Sequence, residues 1–333
     1  MPNLPLRPLR RAGRSGGGPS ASPGAAAEAR RPDVITASGV RWLNLERPRE
    51  ADREWLEREF SFHPLAIEDV ASRNQRPKLD AYDDYLFIVL HFPVFDKPSG
   101  RLLAAELDLF VGPDYLITLP DQTIPPLAAM FERHREREEV RDAVFSKGTG
   151  YLLYRIVDTC VDASFPMLRK MGAKLDALED DIFEGRSAEI VRGMSEAKQE
   201  IINFRRVVRP MRAVLRDLER TKQRYLADDL DIYFDDITDA AERIWDVLEN
   251  YKEVAEALED SNESVLSHRL NQSLRVLTAF SVAMLPLTLL ASIGGMNVDL
   301  PGDGSLREFW AIIAVMAVTL VGVLLFFRRR GYL

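Results

Sequence analysis

Residues 276–298 read VLTAFSVAMLPLTLLASIGGMNV, 23 residues without a formal charge between Arg275 and Asp299. A bilayer core takes about 20 apolar residues at about 1.5 Å rise each, so this stretch is long enough to span one. Just beyond it, residues 309–327 read FWAIIAVMAVTLVGVLLFF, a further 19 uncharged residues between Glu308 and Arg328. One such run can be the buried helix of a soluble protein, whereas two adjacent runs read as a transmembrane hairpin. Arg269 and Arg275 precede the first span, and Arg328, Arg329 and Arg330 follow the second. The connection between them carries Asp299, Asp303 and Glu308 against Arg307 alone. Basic residues stay on the cytoplasmic side, so the expectation is a multi-pass plasma-membrane protein with both termini in the cytoplasm. No apolar segment follows the arginines near the N-terminus, and no secretory signal is expected there.

The rest of the chain is not membranous. Of 333 residues, 46% are hydrophobic and 29% charged, which excludes both wholesale disorder and a purely membrane-embedded protein. The formal charge of −8, from 44 basic and 52 acidic residues, argues against a nucleic-acid partner and favours cations. No GxGxxG follows a strand and no GxxxxGK[ST] occurs, so no nucleotide is expected. No nucleophile–base pair or metal triad is visible either, which argues against an enzyme. Cys160 is the only cysteine, so an intrachain disulfide and a cysteine zinc cage are excluded and a reducing compartment is expected.

Residues 1–33, rich in Pro, Gly and Ser with six arginines, are expected to form a disordered tail. Residues 34–147 change to short β-rich runs among short helices, an α+β cytosolic domain of the α/β-sandwich kind. Its strand candidates are Tyr85–Phe95, Leu102–Gly112 and Tyr115–Pro120, with a helix at His63–Val70. Residues 148–274 read as a helical stalk, followed by a first membrane helix at 275–297, an outer loop at 298–308, a second membrane helix at 309–327 and a basic tail at 328–333. One stalk helix is expected from Tyr151 to Phe183 and a second from Ala188 to Leu226, bent at Pro210. A third starts near Leu230 and meets no breaker before Pro286, inside the first span. Stalk and span are therefore read as one rod, roughly 95 Å long from Leu230 to Ile293.

On a helical wheel, one face of that rod collects Asp260, Ser267, Asn271, Leu274, Leu277 or Thr278, Ser281, Leu285, Thr288 and Ser292. A lipid-facing stripe is apolar throughout. Serine and threonine in a span also back-bond their own helix or pack against a neighbour, but a polar stripe with Asp260 at its cytosolic end equally suits a watery ion path. Two spans cannot enclose such a path, so a ring of several chains is required.

At the outer end of the first span stands Gly295-Met296-Asn297. Here the sequence resembles the CorA-type magnesium channels, a family with two C-terminal spans, the first closing on GMN. MLPLTLLASIGGMN (284–297) is similar to the family's pore exit, HPLAIEDV (63–70) and NQRPKLDAYDDYLFIVL (74–90) to its cytosolic signature, and RRRGYL to its basic ending. The resemblance covers residues 40 to 333. It implies a homopentamer conducting Mg2+, with Co2+ or Ni2+ as further cargo, inward down the electrochemical gradient. It implies that Gly295, Met296 and Asn297 form the selectivity filter, that Asp260, Asn271 and Thr288 supply polar rings, and that Leu274, Leu277 and Leu285 form an apolar gate. It further implies that Asp96 and Asp236 of adjacent subunits bind regulatory Mg2+, so that Mg2+ is both cargo and ligand. Asp299, Asp303 and Glu308 would attract cations to the outer mouth.

The residue types suit that chemistry. Mg2+ dehydrates reluctantly, and neutral amide oxygens accept hydrogen bonds from a retained water shell. The sequence departs from the family at Gly294, usually aromatic, and in the Gly-rich loop LPGDGSLRE, usually acidic. A Zn2+ or other transition-metal transporter of the same superfamily would share the architecture. A membrane-anchored helical scaffold or sensor would explain the long helices but not the polar stripe. His63, His91, His134 and His268 lack metal-ligand spacing and are read as structural.

Overall fold

A computed structural model describes residues 32–72, 75–96, 98, 100–184, 187–221, 226, 230–295 and 306–330. The chain divides into two compact units, Met1–His91 with Ala105–Ile156 and Lys222–Leu230, and Phe92–Ala104 with Val157–Thr221 and Asp231–Leu333.

The first unit is built on a mixed sheet of six strands: β1 (Asp33–Ala37), β2 (Val40–Asn44), β3 (Lys78–Ala81), β4 (Leu86–Asp96), β5 (Arg101–Val111) and β6 (Tyr115–Pro120). Their order is β1-β2-β6-β5-β4-β3, with β2 and β6 parallel, and β1–β2, β3–β4 and β5–β6 antiparallel. Leu86 to Leu90 are fully buried, so both faces of central β4 are covered and its apolar run is unbroken rather than alternating. Helix α1 (Glu50–Glu59) starts where the Asp52 carboxylate accepts the Arg49 amide at 2.9 Å. Helix α2 (Pro64–Ala71) starts where His63 Nδ1 accepts the Leu65 amide at 3.2 Å, and the His63 amide donates to the Tyr85 hydroxyl at 2.8 Å. Helices α3 (Pro125–Glu136) and α4 (Glu138–Phe145) follow β6, the first opening on two prolines whose missing donors cost nothing in a first turn.

The expected helix from Tyr151 to Phe183 is two, α5 (Gly148–Asp162) and α6 (Ser164–Glu184), parted at Ala163. Pro166 explains the break, because it has no amide to offer and its ring crowds the carbonyl four residues back. Helix α7 (Ser187–Arg220) ends earlier than Leu226 and contains Pro210 in its interior. Helix α8 (Asp231–Gly294) runs 64 residues as one rod through Pro286, and α9 (Leu306–Arg329) is the last element.

In the second unit α6, α7 and α8 pack side by side. On α8 the buried residues Phe234, Ile237, Ala241, Ile244, Leu248, Ala255 and Leu258, with half-buried Tyr251 between Leu248 and Ala255, recur at three- and four-residue steps, the seam of a coiled-coil contact. On α7 Ile201, Phe204, Val208, Met211, Leu215 and Leu218 do the same. Two guanidiniums approach the Trp245 ring, Arg205 at 5.1 Å and Arg212 at 4.8 Å from its centre. Glu242 pairs with Arg212 and Arg216, and Lys198 with Glu259 at 2.7 Å. The packing predicts that Phe204→Ala, which empties a fully buried site, destabilises the protein by about 3–5 kcal/mol. A thermal midpoint unchanged from wild type would refute that packing.

Candidate functional site: the α8 rod and its membrane end

The seam that holds α8 to its neighbours ends at Leu258. From residue 259 to 278 no α8 side chain is buried, although Leu270, Leu274, Val276 and Leu277 are 66%, 57%, 53% and 61% exposed. Beyond the Lys198–Glu259 pair at its start, this segment of about 30 Å leaves its leucines uncovered among the described residues.

Cover returns at Ala279 and Ala283, which are buried where α9 packs along α8, with Pro286, Leu287 and Leu290 half-covered. Small residues at four-residue spacing let two helix backbones approach closely in a membrane. On α9 the covered positions Ile312, Met316, Leu320, Val323 and Phe327 form the matching stripe. Most of its remaining surface, Val315, Val318, Val321, Leu324 and Leu325 included, is exposed and apolar, as a lipid-facing helix requires. Both helices are long and apolar enough to cross a bilayer.

The polar stripe lies on the other side of α8. Ala283 and Leu285 are two residues apart, hence about 200° of turn, so the face that meets α9 and the face bearing Leu285 point in nearly opposite directions. Asp260, Ser267, Asn271, Leu274, Leu277, Thr278, Ser281, Leu285, Thr288 and Ser292 are all exposed. Thr288 Oγ1 donates to the Met284 carbonyl and Ser281 Oγ to the Leu277 carbonyl, each at 2.9 Å. Back-bonding satisfies each hydroxyl proton and leaves only acceptor lone pairs outward. Those are the groups that can receive hydrogen bonds from the waters around a cation, so back-bonding and facing a hydrated ion are compatible.

At the end of the stripe far from Gly295, Asp260 shares a shallow open recess with Glu263, Ser264, Ser267, His268 and Asn271. Glu263, one turn from Asp260, was not singled out from the sequence; its three-residue spacing was the available signal. At the other end Gly295 closes the helix, its amide donating to the Ala291 carbonyl at 3.0 Å. Met296, Asn297, Asp299 and Asp303 lie outside the described residues, as do residues 1–31 and the Glu308 side chain.

Asp96 sits half-buried at the end of β4, its carbonyl accepting the Gly100 amide at 2.9 Å, and Asp236 is exposed in the first turns of α8. Among the described residues no three His, Cys, Asp or Glu side chains are placed to hold a metal directly. His63 caps α2, His134 is buried with Nδ1 at 2.8 Å from the Met130 carbonyl, and His91 lies 3.3 Å from Glu106.

The profile of the family described as CorA-like Mg2+ transporter protein matches residues 37–329. The putative metal ion transporter YfjQ of Bacillus subtilis is 30% identical over 87% of this chain and 89% of that protein. The cobalt/magnesium transport protein CorA of Thermotoga maritima is 30% identical over 82% of this chain and 78% of its own length. The zinc transport protein ZntB of Yersinia pseudotuberculosis is 22% identical over 90% of both chains. The complete structure of the CorA magnesium transporter from Methanocaldococcus jannaschii superposes with a TM-score of 0.77 over 90% of this chain and 94% of that one, at 20% identity, which shows the shared fold. That fold is the one expected from the sequence, an α+β domain, a long helix and a C-terminal pair of apolar helices. On the match of nearly its whole length, this chain belongs to the CorA-like Mg2+ transporter family, which makes it a divalent metal transporter rather than an enzyme.

Proposed function

We propose that identical chains of this protein form a ring, five by family resemblance, whose α8 helices line a pore carrying hydrated Mg2+ into the cytoplasm. The observation that supports this most directly is the division of α8 into two faces: an alanine face covered by α9 and an opposite polar stripe left exposed. A central axis of α8 helices would cover that stripe, and the uncovered leucines of 259–278, with neither lipid nor their own chain. In this arrangement α9 faces the bilayer.

Asn297, with the Gly295 carbonyl and Met296, is proposed as the filter that grips the ion through its water shell. Thr288, Asn271 and Asp260 add polar rings, and Asp299, Asp303 and Glu308 draw cations to the outer mouth. Leu274, Leu277 and Leu285 form the gate, which closes by dewetting. Asp96 and Asp236 of adjacent subunits hold the regulatory Mg2+; losing it loosens the ring, so scarcity in the cytoplasm opens the pore. This is a population shift by a ligand with different affinity for two states. No fuel is needed, because a potential of about 100 mV is worth about 4.6 kcal/mol for a divalent cation moving inward. The arginines flanking both spans support cytoplasmic termini in the plasma membrane.

Overall identity does not separate cargoes, since the cobalt/magnesium protein of M. jannaschii is 21% identical and ZntB 22%. Donor chemistry supports Mg2+, because an amide and carbonyl oxygens suit a hard hydrated ion, while Zn2+ favours imidazole and thiolate. The test is uptake into proteoliposomes, with Mg2+ entering and Zn2+ excluded. Preferential Zn2+ entry would transfer the assignment to the zinc branch, and no flux from an oligomer would favour a scaffold. Leu285→Ala should raise Mg2+ leak at inhibiting internal Mg2+; an unchanged leak places the constriction elsewhere.

A further inference from the structure

The α/β unit contains a second acidic constellation, unconnected with the pore. Glu106 and Asp108 are two residues apart on β5, so both project from the same face of the sheet, and Asp121 follows β6 beside them. The Glu106 amide donates to Asp121 Oδ1 at 2.9 Å, and the Asp121 amide returns a bond to the Glu106 carbonyl at 3.0 Å, which locks the two segments together. The three acids line a cavity of about 170 Å3 with Arg47, Pro48, Arg53, Val70, Ala71 and Leu119.

Asp108 is 3% exposed, and its Oδ1 has no hydrogen-bond partner among the described residues. A buried acceptor of this kind is costly unless something donates to it. Burial is the largest influence on its carboxyl, followed by the like charges of Glu106, Asp121 and Asp69, and together they push its pKa well up; Lys78 opposes them. Glu106 already takes the Gln75 amide at 2.9 Å and lies 3.3 Å from His91 Nε2. Lys78 is engaged by Asp69 and Asp80, each at 2.6 Å. Arg47 is 64% exposed and reaches Glu46 at 3.8 Å, while Arg53, half-buried on α1, makes no ion pair among the described residues. The lining therefore holds three acids against two arginines, and no neighbouring cation is spent on Asp108 Oδ1.

We propose that this cavity is a cation site that takes one divalent ion of the Mg2+ class with its water shell intact, anchored by Asp108. The size permits it, because one water needs about 10–15 Å3 of such space and the cavity offers about 170 Å3, room for several waters around an ion. Bound through its shell, the ion needs no inner coordination sphere, in keeping with the lack of three directly ligating side chains among the described residues. Its waters donate to Asp108, Glu106 and Asp121 and relieve the repulsion among them. Occupation would tie α1 and α2, through Arg53, Val70 and Ala71, to β5 and the end of β6. Because the proton and the ion compete for Asp108, binding strengthens as pH rises through the raised pKa of that carboxyl.

The test uses the purified full-length chain carrying Asp96→Asn and Asp236→Asn, which removes the other proposed regulatory pair. The thermal midpoint is followed while Mg2+, or cobalt(III) hexaammine, which cannot exchange its ligands and binds only through its shell, is titrated. Both ions should raise the midpoint, more strongly at higher pH. Adding Asp108→Asn should leave the ion-free midpoint no lower and lower the cation-dependent rise, what remains coming from the polar rings of the pore. Should Asp108→Asn fail to fold, Asp121→Asn keeps an Oδ1 acceptor for the Glu106 amide while removing one charge from the cavity, and should lower the same rise. A rise undiminished in either variant overturns the site, and a decrement seen with Mg2+ but not with cobalt hexaammine overturns the outer-shell mode. Because binding rather than flux is read, the result is independent of whether the chain conducts.

Discussion

Asn297→Ala should lower Mg2+ uptake into proteoliposomes by at least about tenfold while leaving the oligomer intact. A hydrogen bond between an amide oxygen and a water polarised by a divalent ion is charge-assisted, worth about 1.5–3 kcal/mol, and about 1.4 kcal/mol is a factor of ten in an equilibrium. Substitution removes that acceptor from every chain of the ring at once, and alanine offers nothing in return. The ion would then have to shed water or pass without being held, and Mg2+ dehydrates reluctantly. Asn297→Asp restores an acceptor but adds a charge from each chain. It should bind the ion more tightly and release it more slowly, since conduction needs both entry and exit. Uptake by Asn297→Ala equal to wild type would remove the filter assignment.

The second large effect is expected from Asp96→Asn together with Asp236→Asn. Wild-type flux should fall as internal Mg2+ rises, and the double variant should need at least about tenfold more Mg2+ for the same inhibition, a shift of about 1.4 kcal/mol in the coupling. The carboxylates repel one another across the proposed subunit boundary, and only a bound cation makes their approach favourable. Asparagine removes both the repulsion and the affinity, so the closed ring loses its dependence on the ion. An unchanged inhibition curve would locate the sensor elsewhere, and the acidic cavity around Asp108 would then be the first place to look.

Much of this could be read along the chain because it depends on local pattern. The rod expected from Leu230 to Ile293 appears as Asp231–Gly294, since a long stretch of helix formers that meets no breaker before Pro286 has one favourable backbone. Pro286 leaves it unbroken because a single missing donor is tolerated where neighbouring groups can adjust. Ala163 was missed as a break because Pro166, three positions on, sits in a run with helical spacing on both sides. Helices α3 and α4 were not assigned, being short and amphipathic between the last strand and the stalk. The acids of β5 were overlooked for a different reason: in LLAAELDLFVG, Glu106 and Asp108 read as the solvent side of an alternating strand. Here both are nearly buried, because further elements cover that face of the sheet.

The sequence alone determined the two spans, the long rod, the strand–helix mixture before it and the polar stripe ending at GMN, because charge, length and periodicity are properties of neighbours along a chain. Tertiary structure decided which side of the rod is which. Ala279 and Ala283 meet α9, and the stripe of Asn271, Leu285 and Thr288 is turned away from it, a distinction that appears only once a second helix has chosen its groove. The parallel pairing of β2 with β6 and the confinement of Asp108 in a covered cavity were likewise settled by packing. Burial is a relation between distant segments, and its energetic consequence for a carboxylate arises only when those segments close around it.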